Sequence, residues 1–377
     1  MPPTVRCRTD FEKSVIVANF EKRGWVPATN EQDWNVYWAS VVRSAAALLL
    51  LLCCSSPRGR APLQGNVKQW FNPESGQRLG DEQIINHFPN HGELTRKDMM
   101  VKNIKRYRKD LEKDYALLAA AGGAEPEGGK EPGGVGGGAE GEEDAVLAEL
   151  DFVPATYTLP ADYSLFVEEF RRHPASTWIM KPARGAQGSG IFLINKLSQI
   201  KKWATGGRYP AGNPAAAHTY VVSRYVDQPL LVCNKKFDLR LYVLVTGYRP
   251  LMAYIHRQGF ARFCSAEYSS EAQDLDNAYM HLTNVAIQKH GEDFNANHGG
   301  KWSMTNLMLY IESTLGGEAA RKLGVAIEGV IIHSLRACQN VMINDRHCFE
   351  LYGYDILIDS DLKPWLIEVG VLILIHL

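Results

Sequence analysis

Two carboxylates set inside apolar runs are the residues of this sequence best placed to do chemistry. Tyr354-Asp355-Ile356-Leu357 and Leu366-Ile367-Glu368-Val369 each carry one acid among hydrophobic neighbours. Burying such a group is costly unless a metal or a cation neutralises it. Two hard oxygen ligands beside phosphates are what magnesium prefers; the competing reading is two unrelated polar residues at strand ends. A lysine closes another apolar run, Trp178-Ile179-Met180-Lys181-Pro182, and Gln187-Gly188-Ser189-Gly190 follows it. A strand, a glycine loop and a second strand can clamp phosphate, because glycine lets backbone amides approach an anion and the ammonium adds a point charge. Alone, such a loop can equally be a plain turn, and no Gly-Lys-Ser or Gly-Lys-Thr run opens a helix as in a P-loop. In Phe237-Asp238-Leu239-Arg240 the acid and the base lie two strand residues apart and share a face. They read either as a surface ion pair or as part of the same polar site.

These residues need rigid elements to hold them, and from about residue 150 the pattern is α/β. A helix is expected over 161–172, followed by strands at 177–180 and 190–194 on either side of the glycine loop. Further strands are expected at 220–225, 239–246 and 251–255, then a long helix over about 317–341. Two final strands span 350–358 and 365–369. The alternation of Leu239, Leu241, Val243 and Val245 with Arg240 and Tyr242 marks a strand with one functional face. Upstream, Val15 to Phe20 reads as a strand or a short helix, near an aromatic cluster of Trp25, Trp34, Tyr37 and Trp38. An amphipathic helix over 93–113 puts Met100, Ile104, Tyr107 and Leu111 on one face. Lys97, Lys102, Lys105, Arg106, Arg108 and Lys109 cover much of the remainder, either as a solvated face or as a dock for an acidic polymer.

The whole chain bounds these readings. It has 377 residues, 45% hydrophobic and 22% charged, with a net charge of -1, so it carries no global nucleic-acid signature. Cys7, Cys53, Cys54, Cys233, Cys264, Cys338 and Cys348 form no CxxC pair, which argues against structural zinc or a disulfide framework and for a reducing compartment; the cytoplasm is the expected location. Residues 1–10 have no apolar core and are not a signal peptide. The apolar run over 45–54 is about half the length a spanning helix needs, so no membrane insertion is expected. It belongs to an atypical insertion over 43–65. The Gly/Glu-rich segment 119–146 cannot bury a core and reads as a flexible loop.

Taken together the motifs resemble the tubulin–tyrosine ligase-like family, of ATP-grasp-type α/β (α+β) fold, and its polyglutamylase catalytic subunits in particular. The resemblance rests on Trp25, Asp33-Trp34-Asn35, His87-Phe88-Pro89-Asn90-His91, Leu94-Thr95-Arg96-Lys97, Trp178 to Pro182, Lys236 to Tyr242, His281-Leu282-Thr283-Asn284 and Gly299-Gly300-Lys301-Trp302. It covers 11–42 and 66–369 apart from the glycine-rich loop. It implies an N-terminal subdomain over 1–118, a loop over 119–146 and central and C-terminal catalytic subdomains over 147–377, the last reading as incomplete. It further implies ATP and magnesium as cofactors. Lys181 would contact phosphates under a loop carrying Gln187 and Gly188. Ser223, Arg224, Tyr225 and Val226 would form the adenine hinge, and Lys236, Phe237, Asp238, Thr283 and Asn284 would also bind nucleotide. Arg240, Arg262 and Lys301, with Gln187, would face the free L-glutamate and the acceptor, and Asp355 and Glu368 would hold magnesium.

The activity so implied is ligation of glutamate to γ-carboxylates of tubulin C-terminal tails, on microtubules in the cytoskeleton, at centrioles, cilium basal bodies and axonemes, with other complex subunits as partners. Three departures stand out. Gly370 occupies the place of a family asparagine, Ser189 replaces a usual lysine, and 43–65 interrupts the N-terminal unit. Gly370 is the feature behind the alternative, an impaired scaffold that binds tails or complex partners. A protein kinase is excluded, because no His-Arg-Asp loop or Asp-Phe-Gly motif is present.

Overall fold

A computed structural model describes residues 4–10, 14–30, 32–39, 70–72, 74, 78–122, 149–185, 188–200, 219–291 and 300–371. The 43–65 segment, most of 119–146 and Gln187 lie outside the described residues. Three sheets organise the chain. The first contains strands β1 (Arg6–Thr9), β2 (Val26–Pro27), β3 (Val36–Trp38) and β4 (Ile84–Ile85) in the order β2-β1-β3-β4. The segment left open between strand and helix is helix α1 (Ser14–Lys22), which buries Ile16 and Phe20 beside Cys7.

The second sheet has the order β5-β8-β6-β7, formed by β5 (Thr156–Leu159), β6 (Trp178–Pro182), β7 (Phe192–Ile194) and β8 (Tyr220–Arg224). Its pairs are antiparallel, with Trp178 opposite both Ile194 and Arg224. Helix α4 (Tyr163–Arg172) covers one face with the buried Phe166 and Phe170, the Phe166 ring meeting Trp178 edge-on at 5.1 Å. The other face, which carries Ile179 and Ser223, is turned towards the third sheet.

The third sheet is the largest. Its strands are β9 (Leu231–Val232), β10 (Lys235–Tyr248), β11 (Leu251–Ile255), β12 (Phe260–Phe263), β13 (Lys301–Ser303), β14 (Glu350–Ile358) and β15 (Pro364–Val371). The main path runs β13-β12-β10-β14-β15, with β9 and β11 also pairing with β10. The alternation read along β10 sorts its faces as expected. Leu239, Leu241, Val243 and Val245 are buried, while Arg240, Tyr242 and Leu244 stay partly exposed. The buried face packs in one core with α2 (Gly92–Thr95), α3 (Lys97–Gly122), α7 (Met304–Leu315) and α8 (Gly317–Gln339). The short helices α5 (Ala278–His281) and α6 (Val285–Gln288) lie between β12 and β13 in the chain.

Helix α3 buries Met100, Val101, Asn103 and Ile104 and half-buries Tyr107 and Leu111, matching the predicted apolar face. Along α8 the buried positions Leu323, Ile327, Val330, Ile331 and Leu335 follow the helical period. Strands β1, β3, β5, β12 and β13 were not expected; each is only three or four residues long, too short for alternation to rise above noise. Cys7, Cys233, Cys264, Cys338 and Cys348 are free thiols. Among the described residues, no helix is long and apolar enough to cross a membrane.

Candidate active site

A cleft of about 920 Å³, counting its open mouth, lies between the second and third sheets. Its lining mixes two chemistries: Met100, Val101, Ile179, Ile191, Leu282 and Leu357 are apolar, and Lys97, Lys181, Lys236, Asp238, Asp355 and Glu368 are ionic. A ligand that joins a flat apolar group to a polyanion would suit such a lining.

Lys181 ends β6 where the strand meets the glycine turn, and its ammonium is enclosed. Burial, reinforced by the neighbouring Lys97, pushes it down to about 8 despite Glu368 and Asp355 nearby. Lys236 is also brought down to about 8, through burial. Its Nζ donates to the Tyr225 hydroxyl at 2.8 Å and to the His281 carbonyl at 3.1 Å. His281 Nε2 lies 3.0 Å from the Asp274 carbonyl, which can only accept, so that nitrogen carries the ring proton. Nδ1 then accepts from Tyr225 at 2.9 Å, which turns the hydroxyl oxygen towards Lys236.

Asp238 and Arg240 do not pair with each other. The antiparallel register sets Asp238 opposite Arg262 and Arg240 opposite Asp355. Arg262 grips Asp238 with Nε at 2.8 Å and Nη2 at 2.5 Å, and the same Nη2 reaches Asp355 at 2.8 Å. Arg240 binds Asp355 through Nε at 2.6 Å and Nη2 at 3.0 Å. Burial alone would raise the Asp355 carboxyl, but the two guanidiniums outweigh it and hold it down at about 2. Asp355 is therefore ionised at any physiological pH. Lys301 faces the same cations from β13, opposite Arg262, with its ammonium 4.8 Å from the Phe260 ring centre. Burial, with Arg262 and Arg240 beside it, lowers its pKa.

Glu368 reaches the site through an irregularity in strand pairing. Asp355 sits opposite Glu368, yet the next pair is Ile356 with Leu366, so Ile367 has no partner on β14. This β-bulge re-aims the strand and sets the two carboxylates side by side. Lys97 Nζ donates to Glu368 at 2.8 Å and to the Gly185 carbonyl at 3.0 Å. The periodicity placed Lys97 on the polar face of its helix; instead it is buried, because the first turn of α3 begins beneath the cleft. Lys105 likewise donates to the Thr156 carbonyl at 2.6 Å. Lys97 is the site residue that sequence periodicity missed, and its only earlier signal was the Leu94 to Lys97 motif.

The other expected residues fall into three groups. Gly188 adopts φ +79°, and a Cβ there would lie 2.5 Å from Ile287 Cδ1 and 3.0 Å from Asn284 Oδ1. The loop thus presses onto α6 and Asn284, and Thr283 beside it is buried. In the hinge, Ser223, Arg224, Tyr225 and Val226 all line the cleft, and the Arg224 and Tyr225 amides already donate to the Ala155 and Thr177 carbonyls. The Arg224 side chain turns to the other face, bonding Glu169 at 2.9 Å over Trp178. Phe237 also points away, buried in the core against Phe263, so only its backbone can reach a ligand. Gly370 sits opposite Gly353, and a Cβ built on it meets nothing within 4 Å.

For a divalent cation the donor set is two carboxylates paired across β14 and β15. Magnesium is commonly held by one or two carboxylates plus phosphates and water, so this pair fits it. No group of three metal-ligating side chains exists among the described residues.

A cleft between two sheets, a glycine turn over a buried lysine and paired acids on the last two strands define an α/β fold of the ATP-grasp type. The chain belongs to the tubulin-tyrosine ligase family, whose model matches residues 76–371. It is 47% identical over 372 residues to the probable alpha-tubulin polyglutamylase Ttll1 of Tetrahymena thermophila, covering 97% of this chain and 79% of that protein. It is 37% identical over 394 residues to the probable tubulin polyglutamylase TTLL9 of Mus musculus, covering 97% and 73%. With the tubulin polyglutamylase TTLL5 of Homo sapiens it shares 33% over 307 residues, 78% of this chain and 20% of that one.

Proposed function

We propose that this chain is a tubulin polyglutamylase, using ATP and magnesium to join free glutamate to γ-carboxylates of tubulin tails. The observation that carries the reading is the cluster of Lys97, Lys181 and Lys236 facing Asp355 and Glu368 beneath a glycine turn. Three enclosed ammoniums suit a triphosphate, and the apolar side chains of the lining suit a purine. Asp355 and Glu368 would hold magnesium, which would neutralise charge on the transferring phosphoryl group.

In this scheme an acceptor γ-carboxylate oxygen attacks the terminal phosphorus, the bond to the ADP oxygen breaks, and an acyl phosphate forms. The deprotonated amine of glutamate then attacks the acyl carbon, and phosphate leaves as the amide forms. Lys181 and Lys236 hold the phosphate chain in line, and the sheets exclude water that would hydrolyse the acyl phosphate. Arg262 and Lys301 orient the incoming glutamate through its carboxylates; Arg262 keeps Nη1 for this once Asp238 and Asp355 have taken its other donors. Action on microtubules at centrioles, basal bodies and axonemes, alongside partner subunits, belongs to the same proposal. The scaffold alternative has less support, since the ionic residues are assembled around one cleft.

Incorporation of radiolabelled glutamate into microtubules, with ATP and partner subunits supplied, tests the proposal. Wild-type chain should incorporate label, and Lys181→Ala should lose about 10²–10³-fold. Gly370→Asn, for which there is open space, should raise the rate and lower the magnesium requirement. Absence of label from both wild type and Gly370→Asn would overturn the proposal.

A further inference from the structure

Lys97 and Lys236 are both enclosed in the cleft, but they are held in different ways. Lys97 is paired with Glu368, whereas among the described residues no carboxylate forms an ion pair with Lys236. Two neutral oxygens hold it instead, the Tyr225 hydroxyl and the His281 carbonyl. An ammonium has three protons, so one remains for a ligand and the positive charge is not cancelled. The Tyr225 ring centre lies 4.3 Å from the ammonium and that of Tyr268 6.0 Å, so aromatic faces also meet the charge without neutralising it.

His281 is buried and has both ring nitrogens committed, Nε2 to the Asp274 carbonyl and Nδ1 to Tyr225. Neither nitrogen is left to exchange a proton with a substrate, which excludes a general acid or base role. Its surroundings are tied down from both sides. The Asp274 carbonyl also accepts from the Asn277 amide at 2.9 Å. The buried Gln288 donates to the Tyr279 and Leu282 carbonyls at 3.1 Å and 2.6 Å, and accepts from the Ser265 amide at 2.8 Å. Next to Ser265, the Cys264 amide donates to the Lys236 carbonyl at 2.9 Å. Helix α5, the residues after β12 and the start of β10 thus form one hydrogen-bonded unit around the lysine.

We propose that His281 and the Tyr225 hydroxyl are positioning residues that act in series to hold the Lys236 ammonium ready for the nucleotide. A free lysine side chain loses much rotamer freedom when a ligand orders it, so ordering it beforehand lowers the cost of binding. His281 takes the Tyr225 proton, and the hydroxyl lone pairs then face Lys236. This deepens the ligase reading and rests on it for the identity of the ligand.

Anisotropy titration with a fluorescent ATP analogue tests the relay without turnover. Tyr225→Phe keeps the ring and removes only the hydroxyl; it should weaken binding about tenfold, the scale of one hydrogen bond to a charged group. His281→Leu should do the same, while His281→Asn, whose amide oxygen can accept the Tyr225 proton, should recover most of the affinity. In a Lys236→Met background, Tyr225→Phe should cause no further loss, because the group it positions is gone. In turnover, both Tyr225→Phe and His281→Leu should raise KM for ATP and leave KM for glutamate unchanged. A general structural defect would instead add to the Lys236→Met loss, and that additivity would overturn the proposal. Unaltered analogue binding in both Tyr225→Phe and His281→Leu would also overturn it. The expected pattern of binding in a chain that incorporates no glutamate would sustain the relay and count against the ligase reading.

Discussion

Lys181 and Lys236 show how position alters one residue type. Free lysine loses its proton near 10.4, whereas burial brings both side chains to about 8. Each is therefore charged below about pH 8 and neutral above it, so the attraction for a polyanion weakens as pH rises through that value. The expected outcome is a kcat/KM for ATP that is level up to about pH 8 and falls beyond it. Lys236→Arg keeps its charge throughout this range, so it should shift the falling limb upwards or flatten it. A flat wild-type profile to about pH 9 would show that these ammoniums do not govern nucleotide capture. Asp355 cannot cause that limb, since Arg262 and Arg240 keep it ionised down to about 2.

At the scale of elements, two local irregularities build the site. The glycine turn after β6 needs φ +79° at Gly188, and a side chain there would collide with Ile287. Gly188→Ala should therefore lift the loop from Asn284, raising KM for ATP about tenfold while costing about 1 kcal/mol of stability. Titration with a fluorescent ATP analogue, alongside urea denaturation, separates the two effects. The bulge at Ile367 does comparable work on β15. Regular antiparallel pairing onward from Ile356 and Leu366 would set Ile367 opposite Asp355 and turn Glu368 to the other face.

Across the whole molecule, the N-terminal sheet is fastened to the catalytic sheet by a buried pair. His87 Nδ1 lies 2.6 Å from Glu350 Oε1, and the Phe88 amide donates to Oε2 at 3.0 Å. His87 Nε2 lies 2.9 Å from the Ala39 carbonyl and donates to it. Burial raises the Glu350 pKa, against the opposing pull of His87 and the Phe88 amide. The His87 to His91 motif thus ties the segment after β4 to strand β14 of the third sheet. Asn90 continues the join, donating to the Val341 carbonyl at 2.7 Å and accepting from the Ile343 amide at 2.8 Å. Glu350→Ala would strand His87 and the Phe88 amide and should cost about 3 kcal/mol in urea unfolding. Glu350→Gln, which keeps an acceptor and a donor in place, should cost less than half of that.

Several of these features were legible in the chain because they depend on neighbours in sequence. The alternation of β10 follows from the two-residue period of a strand, and the apolar faces of α3 and α8 from the helical period. Lys181, Asp238, Asp355 and Glu368 could be singled out because a charged group in or beside an apolar run needs a partner. What periodicity could not supply was the identity of those partners. Asp238 turned out to face Arg262, Arg240 to face Asp355, and Lys97 to reach Glu368 across 271 positions. Strand register, a one-residue bulge and the packing of α3 beneath the cleft decided these pairs. Each depends on contacts between segments far apart in the chain, so the sequence by itself determined which residues needed partners, and only the tertiary structure decided which partners they found.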